Sequence, residues 1–130
     1  MSKAVHIGVY LGQRQRQSAI CVADMEYRKE GIGEFLHYSV RFLERLPSGK
    51  SYPQVAHRVG EIYAGINSRN KWPFVYLDVT GLGSPVADVF EREAGIQTLS
   101  LVYFSHGDQR TEDRETGYFR VRLGKAFLVT

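Results

Sequence analysis

The sequence predicts one α/β domain built on a mixed five-stranded sheet: three antiparallel strands, then helix, strand, helix, strand. Three observations carry that reading. The chain up to residue 46 falls into three strand-like segments joined by short polar turns. From residue 55 the apolar spacing changes to the period of a helix. Beyond residue 72 a strand pattern, a capped helix pattern and another strand pattern follow in turn, and a strand–helix–strand unit in one sheet requires parallel pairing with a right-handed crossover.

The first three strands are expected at residues 5–11, 18–26 and 34–46, with the turn-prone "GQRQRQ" and "RKEGIG" between them. Connections this short make antiparallel hairpins. Apolar residues stand on both faces of the first two strands, as in "SAICVA", which predicts central strands covered on both sides. The third, "EFLHYSVRFLERL", alternates with polar residues and suits a sheet edge. Val55, Val59, Ile62, Tyr63 and Ile66 then fall at helical spacing, and Ser51 with Pro53 supplies the helix start. "WPFVYLDVTG" is a strand running into a Gly-rich turn. "SPVADVFEREAG" follows as a helix with Ser84 as N-cap, Pro85 at the first helical position, Gly95 as the stop, and an apolar face of Val86, Val89 and Phe90. "IQTLSLVYF" is the fifth strand. The polar stretch at 105–118, "SHGDQRTEDRETGY", reads as a long loop or flap, after which "FRVRLGKAFLVT" resumes apolar character.

At 130 residues the chain has the size of one domain spanning 1–130, and 43% hydrophobic with 24% charged residues is near the globular average and indicates neither a disordered chain nor a coiled coil. No apolar run approaches the roughly 18 residues of a membrane span, and "MSKAVHIG" lacks the apolar core of a signal peptide, so the expectation is no membrane association and a cytoplasmic location. Cys21, the single cysteine, excludes an internal disulfide and is expected as a buried, inert thiol. A net charge of +3 permits a polyanionic partner without requiring one.

"IGVYLGQ" followed by "SAICV" resembles the first hairpin of phage terminase large-subunit nuclease domains and related ribonuclease H-like proteins, in which a strand ending in Gly-x-Asp-x-Gly meets a returning apolar strand. "YSVRFLERLPSGKSYPQVAHRV", "VYLDVTGLGSPVADVFEREAG" and "RVRLGKAFLV" resemble successive further blocks of that domain. The resemblance thus covers nearly all of the chain. The block around Asp78 is its most specific part, because the strand, the Asp-x-Thr-Gly-x-Gly turn and the helix start all match.

This resemblance implies a ribonuclease H-like fold whose C-terminal helix would lie beyond Thr130. It also implies metal-assisted DNA cleavage, with Mg²⁺ or Mn²⁺ held by a carboxylate cluster as a pair of ions about 4 Å apart. The implied partners are double-stranded DNA and other terminase or phage assembly proteins. Of the three acidic positions in the family pattern, the first falls on Tyr10, the second on Asp78, and the third would lie beyond Thr130. Hard divalent cations need anionic oxygen ligands; a phenol, with a reference pKa of about 10, is neutral at pH 7. Asp78 is therefore the expected catalytic and metal position, and Tyr10 the position of a missing acid. Two functions stay open: a terminase-nuclease-like domain with an incomplete site, or a non-catalytic DNA- or protein-binding module in a packaging or recombination assembly.

Other residues have two readings each. Asp78 could equally bond its own backbone and fix its turn. Arg14 and Arg16 in the first turn are candidate phosphate contacts or a solvated face. Gly81, Gly83 and Ser84 could present N–H groups to a phosphate at a helix start, or merely turn the chain. Lys125 matches a lysine in the family's late block, and its alternative is a charge covering a helix turn. His106 and Asp108 are a ligand pair or a solvated one. Asp24 is expected far from Tyr10, and Glu44 at the right height but two strands away.

Overall fold

The computed structural model describes residues 4–13, 16–69, 72–82, 85–96, 99–105, 110–115 and 118–124. Its elements are β1 (Ala4–Tyr10), β2 (Ala19–Glu30), β3 (Gly33–Arg45), α1 (Tyr52–Asn67), β4 (Phe74–Asp78), α2 (Pro85–Ala94), β5 (Leu99–Ser105), β6 (Arg110–Glu115) and β7 (Tyr118–Gly124). The α/β class and the order of the predicted elements hold. The five predicted strands lie side by side as β3-β2-β1-β4-β5, and β7 and then β6 extend the same sheet to seven. That extension corrects the expected strand count. Part of the stretch read as a loop is β6, antiparallel to β7, which in turn runs parallel to β5. An outermost strand needs no apolar run, so the charges of "RTEDRE" do not bar it from the sheet.

Strand direction decides where the helices go. β1 is antiparallel to β2 and parallel to β4, β2 is antiparallel to β3, and β4 is parallel to β5. Strands β3, β1, β4 and β5 therefore all run the same way. The connections β3–α1–β4 and β4–α2–β5 are both parallel crossovers, and both step in the same direction across the sheet. Right-handed connections of that kind place both helices on one face, where α1 and α2 pack against each other.

The core forms between that face and the helices. Val5, Ile7 and Val9 of β1, Ile20 and Val22 of β2, Val75 and Leu77 of β4, and Leu101 of β5 meet Val55, Val59 and Tyr63 of α1 and Ala87 and Phe90 of α2. The alternate residues His6, Gly8, Tyr10, Tyr76 and Asp78 point to the other face and are half-buried or exposed. Strands β1 and β2 are thus covered on one side only by the described residues. The small side chains Ala19, Cys21 and Ala23 made β2 look apolar on both faces. Cys21 is accordingly half-buried on the open face, not an interior thiol as expected.

Helix α1 begins as its sequence requires. The Ser51 hydroxyl accepts from the Gln54 N–H at 3.3 Å, and the Gln54 side chain accepts from the Ser51 N–H at 2.9 Å, a reciprocal cap. Helix α2 stops at Gly95, whose N–H donates to the Glu91 carbonyl. Its buried face is Ala87 and Phe90, with Val86 and Val89 half-buried. The two helices meet at Gly60, where a Cβ would stand 2.8 Å from the Ala94 carbonyl oxygen and 2.9 Å from its Cα.

That contact gives a paired test. Gly60→Ala should destabilise the fold by about 1–3 kcal/mol, because the clash is with backbone that must shift. Gly65→Ala, five residues along the same helix with nothing near its Cβ, should stabilise it by about 0.5–1 kcal/mol through helix propensity. Urea denaturation of both variants checks the opposite signs.

Candidate functional site

The register of β1 against β4 pairs His6 with Phe74, Gly8 with Tyr76 and Tyr10 with Asp78. Paired residues on neighbouring strands share a face, so Tyr10 and Asp78 stand side by side on the open face at the C-terminal ends of their strands. Extending the row through the neighbouring pairings gives Arg45, Ala19, Tyr10, Asp78 and Val102 in order across β3, β2, β1, β4 and β5. A cavity of about 310 Å³ lies over this row, lined by Gly8, Val9, Tyr10, Ala19, Cys21, Tyr76, Asp78, Val102 and Phe104. Its walls are mostly apolar; the polar groups among the lining side chains are the phenols of Tyr10 and Tyr76, the Cys21 thiol and the Asp78 carboxylate, with Tyr10 and Asp78 side by side at the strand ends.

Asp78 is partly committed. Its Oδ1 accepts from the Thr80 N–H at 3.0 Å, the Asp turn anticipated as its structural role. The turn is tied further: the Thr80 hydroxyl accepts from the Phe104 N–H at 2.9 Å, the Val79 N–H donates to the Val102 carbonyl, and the Gln13 side-chain amide reaches the Thr80 carbonyl at 3.5 Å. Gly81 takes φ +76°, a left-handed conformation that closes the turn and favours glycine. These bonds fix Asp78 in place while leaving its Oδ2 without a hydrogen bond from the described residues.

The first β-turn is held beside this one. The Gly12 N–H donates to the buried Ser18 hydroxyl at 2.9 Å, and the Ser18 carbonyl accepts from the Leu46 N–H at 2.9 Å. Arg16 is exposed in this turn, at the same end of the sheet as Tyr10 and Gly81. Arg14, Gly83, Ser84, His106, Asp108 and Lys125 lie outside the described residues.

Asp24 is remote, as expected: it is paired with Val5, at the far end of β1, and its Oδ2 accepts from Arg41 Nε at 2.8 Å. Glu44 has the anticipated height, in the row of Ile20 and Val9, but the opposite face. There it accepts two bonds from the Arg58 guanidinium, 2.9 Å from Nε and 2.8 Å from the second nitrogen, and those bonds lower its pKa and raise that of Arg58. Glu44 is therefore a structural partner of α1 and no part of the site. Cys21, Phe104 and Arg45 were missed by sequence reasoning; only the strand registers assign them to this face.

Among the described residues the donor set does not fit a pair of divalent ions. Those residues offer one carboxylate, with one oxygen already bonded, beside a phenol, and no group of three or more His, Cys, Asp or Glu among them is placed to hold a metal. What the pair can do is complementary hydrogen bonding: the phenol donates, the free carboxylate oxygen accepts, and the apolar floor takes the body of a ligand. No protein-family model, curated protein or solved structure matches this chain. Among the described residues no helix is long and apolar enough to cross a membrane.

His6 lies on the same face, two residues before Gly8. Its ring stacks near Phe74 and Tyr76, with centroids at 5.7 and 5.5 Å, and its Nε2 has no hydrogen-bond partner among the described residues. Burial lowers its pKa below the ordinary 6.5. Because the unfolded chain takes up the proton first, stability should fall as the pH drops below about 6.5, until the folded His6 is protonated too. His6→Phe should flatten that segment of the profile in urea titrations at successive pH values.

Proposed function

We propose that this chain is a ribonuclease H-like domain related to phage terminase nucleases, with a metal-dependent cleavage site that is incomplete in residues 1–130. The observation that carries the reading is the register of Tyr10 opposite Asp78. In the family pattern two acids meet on these strands; here a phenol occupies one of the two positions. The order β3-β2-β1-β4-β5, with the first three strands antiparallel and the last two parallel to β1, supports the same relationship. So does the position of Asp78 at a strand end beside a Gly turn, the block in which the resemblance is most specific.

A second reading, a DNA- or protein-binding module on the same fold, is favoured by the apolar cavity over the pair and by the exposed Arg16 in the turn between β1 and β2. Double-stranded DNA would meet the basic first turn. A protein partner would meet the apolar face.

Incubation of the 130-residue chain with plasmid DNA and Mg²⁺ or Mn²⁺ should give no more cleavage than Asp78→Ala under the same conditions. Robust cleavage that disappears in Asp78→Ala contradicts the incomplete site. In the DNA-binding version, affinity falls with salt, and Arg14→Ala and Arg16→Ala each reduce the salt slope by about 1. Absence of binding at low salt removes that version and leaves the protein-binding one.

A further inference from the structure

Strand β3 is the outermost strand at its end of the sheet, and among the described residues no strand pairs with its outer edge. At 13 residues it is about 43 Å long, taking roughly 3.3 Å per residue. Natural edges are blunted by shortness, proline, charged side chains or bulges; β3 is long, has no proline or lysine, and from Phe35 to Val40 carries no Asp, Glu, Lys or Arg and no bulge. Its only interruption is a bulge at Arg41, between the pairs Ala23–Val40 and Val22–Phe42. Along it Phe35, Leu36, Tyr38, Val40, Phe42 and Leu43 are exposed, six of the eleven large apolar side chains so exposed among the described residues. Leu36, Tyr38, Val40 and Leu43 stand on the open face of this strand and Phe35 and Phe42 on the helix face, so a further strand against the edge would cover apolar side chains on both faces, which marks a docking surface.

The charges select the occupant. The interior ones are neutralised within the fold, Arg41 by Asp24 and Glu44 by Arg58. Glu34, near the start of the strand, and Arg45, at its end, are unpaired among the described residues. We infer that β3 pairs antiparallel with β3 of a second copy of this chain. Antiparallel approach sets Glu34 of each copy near Arg45 of the other, two matched contacts by symmetry. Parallel approach would set Arg45 against Arg45. The edge offers about 400 Å² per copy if the sheet is about 10 Å thick, roughly half of what a stable complex buries, so the dimer is weak and reversible. This pairing is independent of whether the Asp78 site cleaves DNA.

Sedimentation equilibrium of the full chain over a range of concentrations tests the inference. A reversible monomer–dimer equilibrium is expected. Val40→Lys, at a position 63% exposed, should weaken it at least about tenfold by placing a charge on the edge. Glu34→Arg and Arg45→Glu should each weaken it about threefold to tenfold, and the two together should restore affinity close to the original. Amide hydrogen exchange should show protection that rises with protein concentration in β3 and nowhere else. The inference is overturned by a monomer at every soluble concentration, by a dimer indifferent to Val40→Lys, by a charge swap that fails to restore affinity, or by concentration-dependent protection on the open face around Tyr10. Should Val40→Lys fail to fold, the charge cycle and the exchange pattern decide.

Discussion

Two parallel crossovers of the same hand, stepping the same way across one sheet, organise this molecule. Because β3, β1, β4 and β5 point in one direction, right-handed connections carry α1 and α2 to the same side. That side needs large apolar residues on every strand, and Ile7, Ile20, Leu77 and Leu101 provide them. It also needs two helices to fit over the sheet, which Gly60 permits by letting α1 approach the backbone at Ala94. The other side is left for small side chains, aromatic rings and the polar pair at the strand ends. In open α/β sheets ligands bind beyond the C-terminal ends of strands, and Tyr10 and Asp78 occupy such ends on β1 and β4.

The chemistry of that position follows from counting charges. A divalent cation taken from water needs several anionic oxygens, and among the described residues one carboxylate divides its oxygens between a turn N–H and the cavity. The Thr80 bond that immobilises Asp78 also reduces what Asp78 can offer a cation. What survives is a rigid acceptor next to a phenolic donor over an apolar floor, an arrangement suited to holding a ligand. The turn that fixes Asp78 is thus built in full, while the position paired with it on the adjacent strand holds a phenol and no second carboxylate.

Much of this was legible in the residues. Alternation of Val5, Ile7 and Val9 identified β1, helical spacing with Ser51 and Pro53 identified α1, and Gly95 marked the end of α2. Three points were not legible. The bulge at Arg41 reverses the alternation of β3, so Phe42 and Glu44 face the helices although simple counting from Tyr38 and Val40 puts them on the open side. The apolar character of β2 on both faces arises from alanines and a cysteine, residues small enough to line an uncovered surface. Strand β6 carries no apolar signal because its place at the outer edge of the sheet does not ask for one.

The proposal that Tyr10 stands where a second metal ligand would be needed is tested most directly by Mn²⁺ titration monitored through paramagnetic broadening of backbone amide resonances. In the unsubstituted chain, amides of Asp78 and Tyr10 should broaden no more than those beside the exposed carboxylates Glu34 and Glu61. In Tyr10→Asp, saturable broadening should appear centred on positions 10 and 78. Saturable broadening centred on Asp78 in the unsubstituted chain would contradict the account.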